Sequence, residues 1–494
     1  METIGALAKK AMLQHVDNVA ARDEGGTLTY GQLKKRACQL AHALMQSGLN
    51  KGDRVATLMS NRKEHIEIDA AIAFAGLVKV PVNYRLHPKE ATYIIEHAGV
   101  GVVIGEGQLL AGLSANVERI DVEAAYEPFL QMQSDDFPDV AVGEDDLFAI
   151  MYTSGTTGKP KGAMLTHRNM VAGALSLIQA CEITYGDTIG HVAPLTHGTN
   201  FLAQTAWFYG LKQVIFKKFE PSGFIDELEK QQVTVMFMVP TLVNIMVHDP
   251  CFDPSKLRSL KSINMAGAPI AVPKLQKALT ALGPKLAETY GLVEAPMAIT
   301  IMPKQQLGAR PSSCGAAGPF AEVKIVAPDG EEAPVGDIGE VACRGSLVMK
   351  GYWQNETATA EAIKDGWFYT GDLGRLDDKG YLHLMDRAKD VIITGGLNVY
   401  PREVEEVLNQ HPAVKETCVF GAPDEKWGER ICAHVVLQAG AAPVTEEALI
   451  AHCTEHLARY KKPKVIEFVH ELPKNSYGKI MRKTLRNQYK KAGV

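Results

Sequence analysis

Residues 152–162 read Tyr-Thr-Ser-Gly-Thr-Thr-Gly-Lys-Pro-Lys-Gly, a loop rich in hydroxyl groups and glycine that carries two lysines. The apolar run at 148–151 predicts a short buried strand before it, and the segment that opens at Thr166 predicts the start of a helix. Glycines let backbone N–H groups approach an anion closely. Hydroxyl groups add hydrogen-bond donors, and lysine adds a mobile positive charge. Such a loop suits a polyphosphate.

Two other interpretations of this loop are less favoured. A Walker A loop requires Gly, four residues and then Gly-Lys-Ser/Thr. Here Gly158-Lys159 is followed by Pro160, and Thr153 stands where the first glycine would be. The mismatch disfavours a phosphotransferase of that type. A solvated loop without a ligand is also disfavoured, because eleven consecutive residues suit one kind of ligand.

The length and composition of the chain restrict its number of domains, its partners and its cysteine chemistry. The 494 residues are too many for one hydrophobic core, so two or more domains are expected. The net charge of −5 gives no overall attraction to nucleic acid or anionic membrane. We expect neither a secretory signal nor a membrane-spanning segment. The eight cysteines form no C-x-x-C pair, so neither a zinc site nor a disulfide framework is indicated, and reduced thiols in the cytoplasm are expected.

Strand patterns alternate with helix patterns through the first part of the chain. Strands are predicted at 53–59, 79–82 and 101–104, and helices at 31–47 and 70–76. This alternation favours α/β layers with a largely parallel sheet. From Pro401 onward a helix and several strands predict a compact α+β domain.

Further motifs follow the loop in a fixed order. They include Glu288-Thr-Tyr-Gly-Leu-Val-Glu294, the segment that ends at Gly371-Asp372, and Gly478-Lys479 near the end of the chain. Together with residues 152–162 they resemble the motifs of the adenylate-forming superfamily, which contains acyl-CoA synthetases, peptide-synthetase adenylation domains and luciferases. The resemblance covers essentially the whole chain and is closest to the acyl-CoA synthetase branch.

The resemblance implies an architecture. Residues 1–387 would form a large N-terminal AMP-binding domain of layered α/β subdomains plus a β-rich subdomain. Residues 388–494 would form a small mobile α+β domain after a hinge at Lys389. Because Lys479 lies on the small domain and the phosphate loop on the large one, the active site would assemble across this hinge.

The resemblance also implies a reaction. An ATP-dependent carboxylate–CoA ligase converts a carboxylic acid to acyl-AMP with release of pyrophosphate, and then transfers the acyl group to CoA. ATP, Mg²⁺ and CoA are the expected cofactors and co-substrates. Lys479 would bridge the carboxylate and the α-phosphate, Glu294 would hold Mg²⁺, and His197 would be the gate between the nucleotide site and the acyl pocket. Without that context, a histidine after Pro194-Leu-Thr would be assigned to the core.

The remaining site residues follow by the same resemblance. The phosphate loop, adenine, ribose, hinge and pantetheine contacts are expected from Thr153, Ser154, Gly155, Thr156, Thr157, Lys161, Gly267, Ala268, Glu288, Thr289, Tyr290, Gly291, Asp372, Arg387, Lys389, Gly396 and Asn398. The acyl pocket is expected to be lined by His197, Thr199, Asn200, Met238, Val239, Ala266, Val293 and Pro296.

The identity of the acid stays open between fatty and aryl acids. The pocket segments contain neither Arg nor Lys, so a dicarboxylate is disfavoured. Val293 stands where most family members have Thr, and the loss of one hydrogen bond, about 0.5–1.5 kcal/mol, predicts weaker or slower adenylation.

Two competing functions remain, and so does the oligomeric state. A ligase that loads a carrier protein is disfavoured because no carrier domain follows Val494. A non-catalytic nucleotide-binding protein is disfavoured by Lys479, Glu294 and the complete loop. A homodimer is left open.

Overall fold

Short strands alternate with helices through the N-terminal four-fifths of the chain. The computed structural model describes residues 2–153, 160–475 and 480–492. In chain order the strands are β1 Val19–Asp23, β2 Gly26–Thr29, β3 Arg54–Leu58, β4 Val78–Pro81, β5 Val100–Gly105, β6 Glu118–Asp121, β7 Leu147–Thr153, β8 Lys161–Thr166, β9 Thr188–His191, β10 Lys212–Ile215, β11 Val235–Met238, β12 Ser262–Met265, β13 Leu286–Tyr290, β14 Thr300–Met302, β15 Ala316–Ala317, β16 Glu322–Val326, β17 Gly339–Arg344, β18 Gly351–Tyr352, β19 Ile363–Lys364, β20 Trp367–Leu376, β21 Leu382–Arg387, β22 Ile392–Thr394, β23 Leu397–Val399, β24 Val414–Asp424, β25 Gly428–Leu437 and β26 Val465–Phe468.

The helices cover the faces of these strands. In chain order they are α1 Ile4–Gln14, α2 Tyr30–Gln46, α3 Glu64–Ala75, α4 Pro88–Ala98, α5 Gly107–Ala111, α6 Tyr126–Leu130, α7 His167–Cys181, α8 Gly198–Gln204, α9 Ala206–Tyr209, α10 Pro221–Gln231, α11 Pro240–Val247, α12 Val272–Leu282, α13 Lys304–Leu307, α14 Glu356–Ala362, α15 Pro401–Leu408, α16 Glu446–His456 and α17 Arg482–Ala492. Short 3₁₀ turns lie at Pro254–Leu257, Ala388–Asp390 and Arg459–Lys461.

Two large sheets are mostly parallel, as the sequence predicts. One has the strand order β15-β14-β13-β12-β11-β9-β10-β1-β2 and the other β18-β8-β7-β4-β3-β5-β6. Their inner strands pair in parallel, and antiparallel pairing is confined to the edges, as where β13 meets β14 and where β7 meets β8. The parallel strands of each sheet end at one edge, which is where ligands bind in α/β proteins.

Two smaller sheets complete the described fold. An antiparallel sheet of order β16-β17-β20-β19, with β21 on β20, is the β-rich part of the large domain. A fourth sheet of order β23-β22-β25-β24, with β26 on β25, contains strands from Ile392 onward. The architecture is α/β with a smaller α+β unit at the C-terminus, as expected. The predicted boundary at 387/388 falls between β21 and β22 and stays a prediction.

Local sequence explains where the helices begin. Thr29 and Gln32 form a capping box at the start of α2, and Thr166 and Asn169 form one at the start of α7. Each threonine side chain accepts a hydrogen bond from an N–H that has no partner within the helix. The predicted helices after Thr27-Leu-Thr-Tyr30 and Thr166 are confirmed.

The helix predicted at 70–76 is longer in the structure. It begins at Glu64, and every residue of α3 is buried, including three acidic ones. Charged residues are rarely buried unless they are paired, so the apolar pattern alone indicated only the second half of this helix. Gly76, with φ 63°, ends it in the left-handed conformation that favours glycine.

Within the described residues, no helix has both the length and the apolar character needed to cross a bilayer. All eight cysteines fall within those residues and are unpaired thiols, and seven of them are buried.

Candidate active site

One carboxylate joins residues from three strands of two sheets. Asp372 of β20 accepts a hydrogen bond at Oδ2 from the Tyr290 hydroxyl, 2.7 Å away. Its Oδ1 lies 3.0 Å from Nε of Arg387. Tyr290 ends β13 and Arg387 ends β21, so the structure brings these three predicted nucleotide-site residues together. A carboxylate has about four lone-pair positions, so Asp372 keeps capacity to accept further hydrogen bonds.

A second carboxylate lies beside an aromatic ring and a lysine. Glu294 is buried, and its Oε1 accepts a hydrogen bond of 2.9 Å from the Tyr352 hydroxyl. Nζ of Lys161 lies 5.0 Å from the centre of the Tyr352 ring. Tyr352 is in β18, which pairs with β8, the strand that begins at Lys161. The predicted metal ligand and the predicted phosphate-loop lysine are therefore linked by a tyrosine.

Glu288 has an unusual charge state for a carboxylate. Burial raises the pKa of Glu288 to about 7, and the positive charge of Arg402 opposes this rise. Glu288 belongs to β13 and Arg402 to α15, so this charge–charge interaction joins a residue of the large N-terminal part of the chain to one of the C-terminal part. Near neutral pH the side chain is partly protonated.

The raised pKa of Glu288 leads to a pH-dependent stability. Between pH 4.5 and about 7 the folded protein holds a proton that the unfolded chain has released. The free energy of unfolding that Glu288 contributes therefore falls as pH rises. In the wild type, Glu288 should lower the free energy of unfolding by about 1–3 kcal/mol as the pH rises across this window, and Glu288→Gln should abolish this decrease. Denaturant melts at pH 5 and pH 7 measure it, and a variant that loses stability as steeply as the wild type would contradict the assignment.

His197 is uncharged at physiological pH. It immediately precedes α8, and burial lowers its pKa to about 4. Its Nδ1 lies 2.9 Å from the hydroxyl of Thr196. A neutral, half-buried imidazole at the start of a short helix suits a steric gate better than a charge that binds an anion.

The ends of β11 and β12 form a wall of small and apolar residues. Val239 is half-buried, Ala266 is buried and Gly267 is exposed with φ 87°. Ala268 is half-buried. Such a wall permits a flat ring to pack against backbone. Met238, assigned to the pocket from the sequence, is fully buried in a hydrophobic cluster behind this wall.

The turn after β13 is tightly packed. A side chain at Gly291 would place its Cβ 2.6 Å from the backbone N of Met297. The Thr289 hydroxyl accepts a 2.9 Å hydrogen bond from the side-chain amide of Asn264. Val293 is half-buried and Pro296 is buried in the same turn. Glycine is required at 291 because its neighbour there is backbone, which cannot move aside.

Two predicted pocket residues lie in α8 and are buried. The Thr199 hydroxyl has no hydrogen-bond partner among the described residues. The Asn200 side chain donates a 2.5 Å hydrogen bond to Asp69. Asn200 therefore faces a buried carboxylate that sequence reasoning did not single out.

The predicted pantetheine loop is the exposed tip of the β22–β23 hairpin. Gly396 has φ 78°, and Asn398 is exposed beside it. Gly395 N–H donates a 2.8 Å hydrogen bond to the carbonyl of Trp427, which fixes the hairpin to the turn between β24 and β25. Lys389, the predicted hinge residue, is exposed in the 3₁₀ turn, and its carbonyl accepts from the Arg486 guanidinium at 3.2 Å.

Several predicted residues cannot be placed. Lys479 and most of the phosphate loop, including Ser154, Gly155, Thr156 and Thr157, lie outside the described residues. The described ends of that loop are adjacent, because Thr153 of β7 pairs with Lys161 of β8.

Sequence reasoning missed two groups of residues near the site. One is Tyr352 of the short strand β18, whose hydroxyl donates a hydrogen bond to Glu294. Arg482 makes ion pairs with Asp386, Asp390 and Glu405 around the 3₁₀ turn at 388–390. The sequence feature that could have indicated Tyr352 is its hydroxyl-bearing aromatic ring directly after Gly351. Nothing in the local pattern distinguishes Arg482 from its basic neighbours.

Known proteins are similar to this chain over nearly its whole length. Residues 8–353 match the family model of the AMP-binding enzyme, and residues 403–479 match that of the AMP-binding enzyme C-terminal domain. A feruloyl-CoA synthase of Amycolatopsis sp is 34% identical over 95% of this chain and 96% of its own length. A long-chain-fatty-acid–CoA ligase of Mycobacterium tuberculosis is 34% identical, over 94% of this chain and 93% of its own. The solved o-succinylbenzoate CoA synthetase of Bacillus subtilis, in complex with its acyl-adenylate intermediate, is 30% identical with a TM-score of 0.89, covering 98% of both chains.

The chain belongs to the adenylate-forming superfamily, in its acyl-CoA synthetase branch. It is an AMP-forming acid–thiol ligase, which uses ATP to activate a carboxylic acid as acyl-AMP and transfers the acyl group to CoA.

Proposed function

We propose that the acid is a fatty or aryl monocarboxylate. The observation that carries this proposal is the apolar surroundings of Gly198, next to His197. A Cβ at that position would meet Sδ of Met297 at 3.2 Å and Cζ of Phe237 at 3.3 Å, and both side chains are buried. A second carboxylate in such surroundings would lack a partner for its charge, which is costly. The names of the feruloyl-CoA and fatty-acid–CoA relatives match these two classes, whereas the succinylbenzoate relative acts on a dicarboxylate, so the proposal rests on the apolar surroundings of Gly198.

The proposed roles of the residues follow from charge. Adenylation requires cations near the β- and γ-phosphates, and Lys161 beside Tyr352 supplies one. Asp372 orients the nucleotide by accepting from its ribose hydroxyls, and Arg387 holds the carboxylate in place. Lys479 would bridge the acid and the α-phosphate as negative charge develops. Catalysis in this scheme is positioning plus electrostatic stabilisation.

We also propose that Glu294 binds Mg²⁺. Its carboxylate oxygens are hard ligands of the kind Mg²⁺ prefers, and the hydrogen bond from Tyr352 to Oε1 orients the group. When bound, the ion would neutralise charge on the leaving pyrophosphate. Elsewhere in the described chain, His452, Glu455 and His456 of α16 lie close enough to share an ion, but two imidazoles suit transition metals rather than Mg²⁺.

A panel of carboxylates tests the identity of the acid. AMP formation would be measured with ATP, Mg²⁺, CoA and, in turn, ferulate, benzoate, octanoate, palmitate and 2-succinylbenzoate. Ferulate, benzoate or one of the fatty acids should support CoA-dependent turnover, and 2-succinylbenzoate should not. A dicarboxylate as the best substrate would contradict the proposal.

Two half-reactions by one site require the C-terminal part of the chain to move. In this proposal Lys479 serves adenylation, and rotation about Lys389 then brings the tip of the β22–β23 hairpin to the CoA thiol. The proposal is supported by the exposure of Gly396 and Asn398 in this structure, which leaves the tip free to enter another contact.

Gly396 provides a test of that rotation. Leucine at this position would strain the backbone, because φ is 78°, whereas asparagine tolerates this region better. Gly396→Asn should keep ATP–pyrophosphate exchange within about twofold of the wild type while slowing acyl-CoA release about tenfold, because a side chain would obstruct the pantetheine arm.

A matched control separates obstruction from strain. Gly440 lies in the same part of the chain with φ 76°, and nothing lies within 4 Å of a Cβ built on it or on Gly396. Gly440→Asn should lower the melting temperature by a similar amount without affecting acyl-CoA release. Normal acyl-CoA release by Gly396→Asn would remove the hairpin tip from the pantetheine path.

We propose a cytoplasmic location, because eight unpaired thiols persist in a reducing compartment. A homodimer remains a proposal, and size-exclusion chromatography with light scattering decides it.

A further inference from the structure

A carboxylate that solvent does not reach lies beside the helix that follows His197. Asp69 of α3 is fully buried, and its Oδ1 accepts a hydrogen bond from Nζ of Lys79, itself 1% exposed on β4. Its Oδ2 accepts from the side-chain amides of Asn200 at 2.5 Å and Gln204 at 3.0 Å. One carboxylate thus binds one ammonium and two amides, and both amides belong to α8.

These contacts reach His197 through the first turn of α8. The backbone N–H of Asn200 donates a 2.8 Å hydrogen bond to the carbonyl oxygen of His197. The Asn200 side chain is held by Asp69, and Gln204 donates to its Oδ1 at 3.3 Å. The carboxylate therefore fixes the residue that holds the His197 backbone.

The segment before His197 is fixed from the other side. Asn61, which is buried, donates from Nδ2 to the carbonyl of Ala193 at 3.0 Å. Its Oδ1 accepts from the backbone N–H of Leu195 at 2.9 Å. His197 thus lies between two segments that side-chain hydrogen bonds hold in place. Of these two, α8 is held by a buried charge, and residues 193–195 are held by the neutral side chain of Asn61.

Stability alone does not explain a buried ion pair at this place. Removing two charges from water is costly, and apolar residues of similar volume often replace such pairs without loss. The pair instead fixes the orientation of the Asp69 carboxylate, because a carboxylate that accepts from several fixed donors has one orientation.

We infer that Asp69, held by Lys79, is a positioning residue that fixes His197 at the mouth of the acyl pocket and so sets the affinity for the carboxylic acid. This inference rests on the proposed gate role of His197. Asp69 acts through Asn200 and touches none of the predicted nucleotide-site residues in the described contacts.

The chain offers a matched control on the same helix. Glu67 is also fully buried, and it pairs with Arg36 of α2, away from α8. Asp69→Asn and Glu67→Gln each neutralise a buried carboxylate of α3; Asp69→Asn takes the carboxylate from Lys79, whereas in Glu67→Gln the guanidinium of Arg36 keeps Glu127 at 2.6 Å. Both should lower the melting temperature.

The kinetic readouts distinguish the two variants. In ATP–pyrophosphate exchange with the best acid of the panel, Asp69→Asn should raise the KM for the acid about tenfold and leave the KM for ATP within about twofold. Glu67→Gln should leave both KM values unchanged. A normal acid KM in Asp69→Asn, or an equal rise in Glu67→Gln, would overturn the inference.

A double variant covers the case in which Asp69→Asn folds poorly. Asp69→Ala with Lys79→Met removes both charges, so the melting temperature should recover while the amides of Asn200 and Gln204 still lack their acceptor. A raised acid KM at recovered stability supports positioning, and a wild-type acid KM overturns it.

If His197→Ala leaves the acid KM unchanged, the gate role fails and the inference fails with it. If His197→Ala raises the acid KM but the Asp69 variants leave it unchanged, the gate role stands and the inference alone fails.

Discussion

Lys479→Ala is expected to lower ATP–pyrophosphate exchange by about 10³-fold or more while sparing acyl transfer to CoA from pre-made acyl-AMP. The reason is that the ammonium group would stabilise charge that develops only when the carboxylate attacks the α-phosphate. Once acyl-AMP exists, that charge is no longer needed at this point. Exchange and single-turnover thioester assays measure the two steps separately.

The control for this variant is a lysine from the same part of the chain. Lys464 is exposed between α16 and β26, and Lys464→Ala should leave both half-reactions unchanged. An equal loss of both half-reactions in Lys479→Ala would contradict a role confined to adenylation.

Asp372→Ala is expected to raise the KM for ATP about 100-fold. Two hydrogen bonds from ribose hydroxyls to a charged acceptor, at about 1.5 kcal/mol each, account for this change. Tyr290 and Arg387 would also lose their shared partner, so the melting temperature should fall. Initial rates with varied ATP at saturating acid measure the effect.

Asp377 separates nucleotide binding from loss of stability. It follows β20, pairs with Arg310 at 3.2 Å and with His383 at 3.4 Å, and its side chain is 17% exposed against 12% for Asp372. Asp377→Ala should lower the melting temperature without changing the KM for ATP. If the two variants changed that KM equally, Asp372 would be a structural residue of the β20 sheet rather than a ribose ligand.

Local sequence patterns predicted the class of fold, and short motifs that resemble a known family predicted the class of chemistry. Strand and helix periodicity predicted the parallel sheets and the starts of α2 and α7. In the structure both starts carry a capping box, which is a local interaction between residues three positions apart. The residue types of the loop at 152–162 indicated a polyphosphate ligand, and the resemblance of the motifs at 152–162 and 288–294 to the adenylate-forming superfamily implied the reaction.

The tertiary structure decided which side chains meet. Asp69 and Asn200 are 131 residues apart, and Tyr352 and Glu294 are 58 apart. No local pattern encodes such pairs, since each depends on how β-sheets and helices are brought together. The same holds for titration: burial by the folded chain lowers the pKa of His197 and raises the pKa of Glu288. The sequence therefore determined what chemistry is available, and the packing of distant segments decided which residues hold the reacting groups in place.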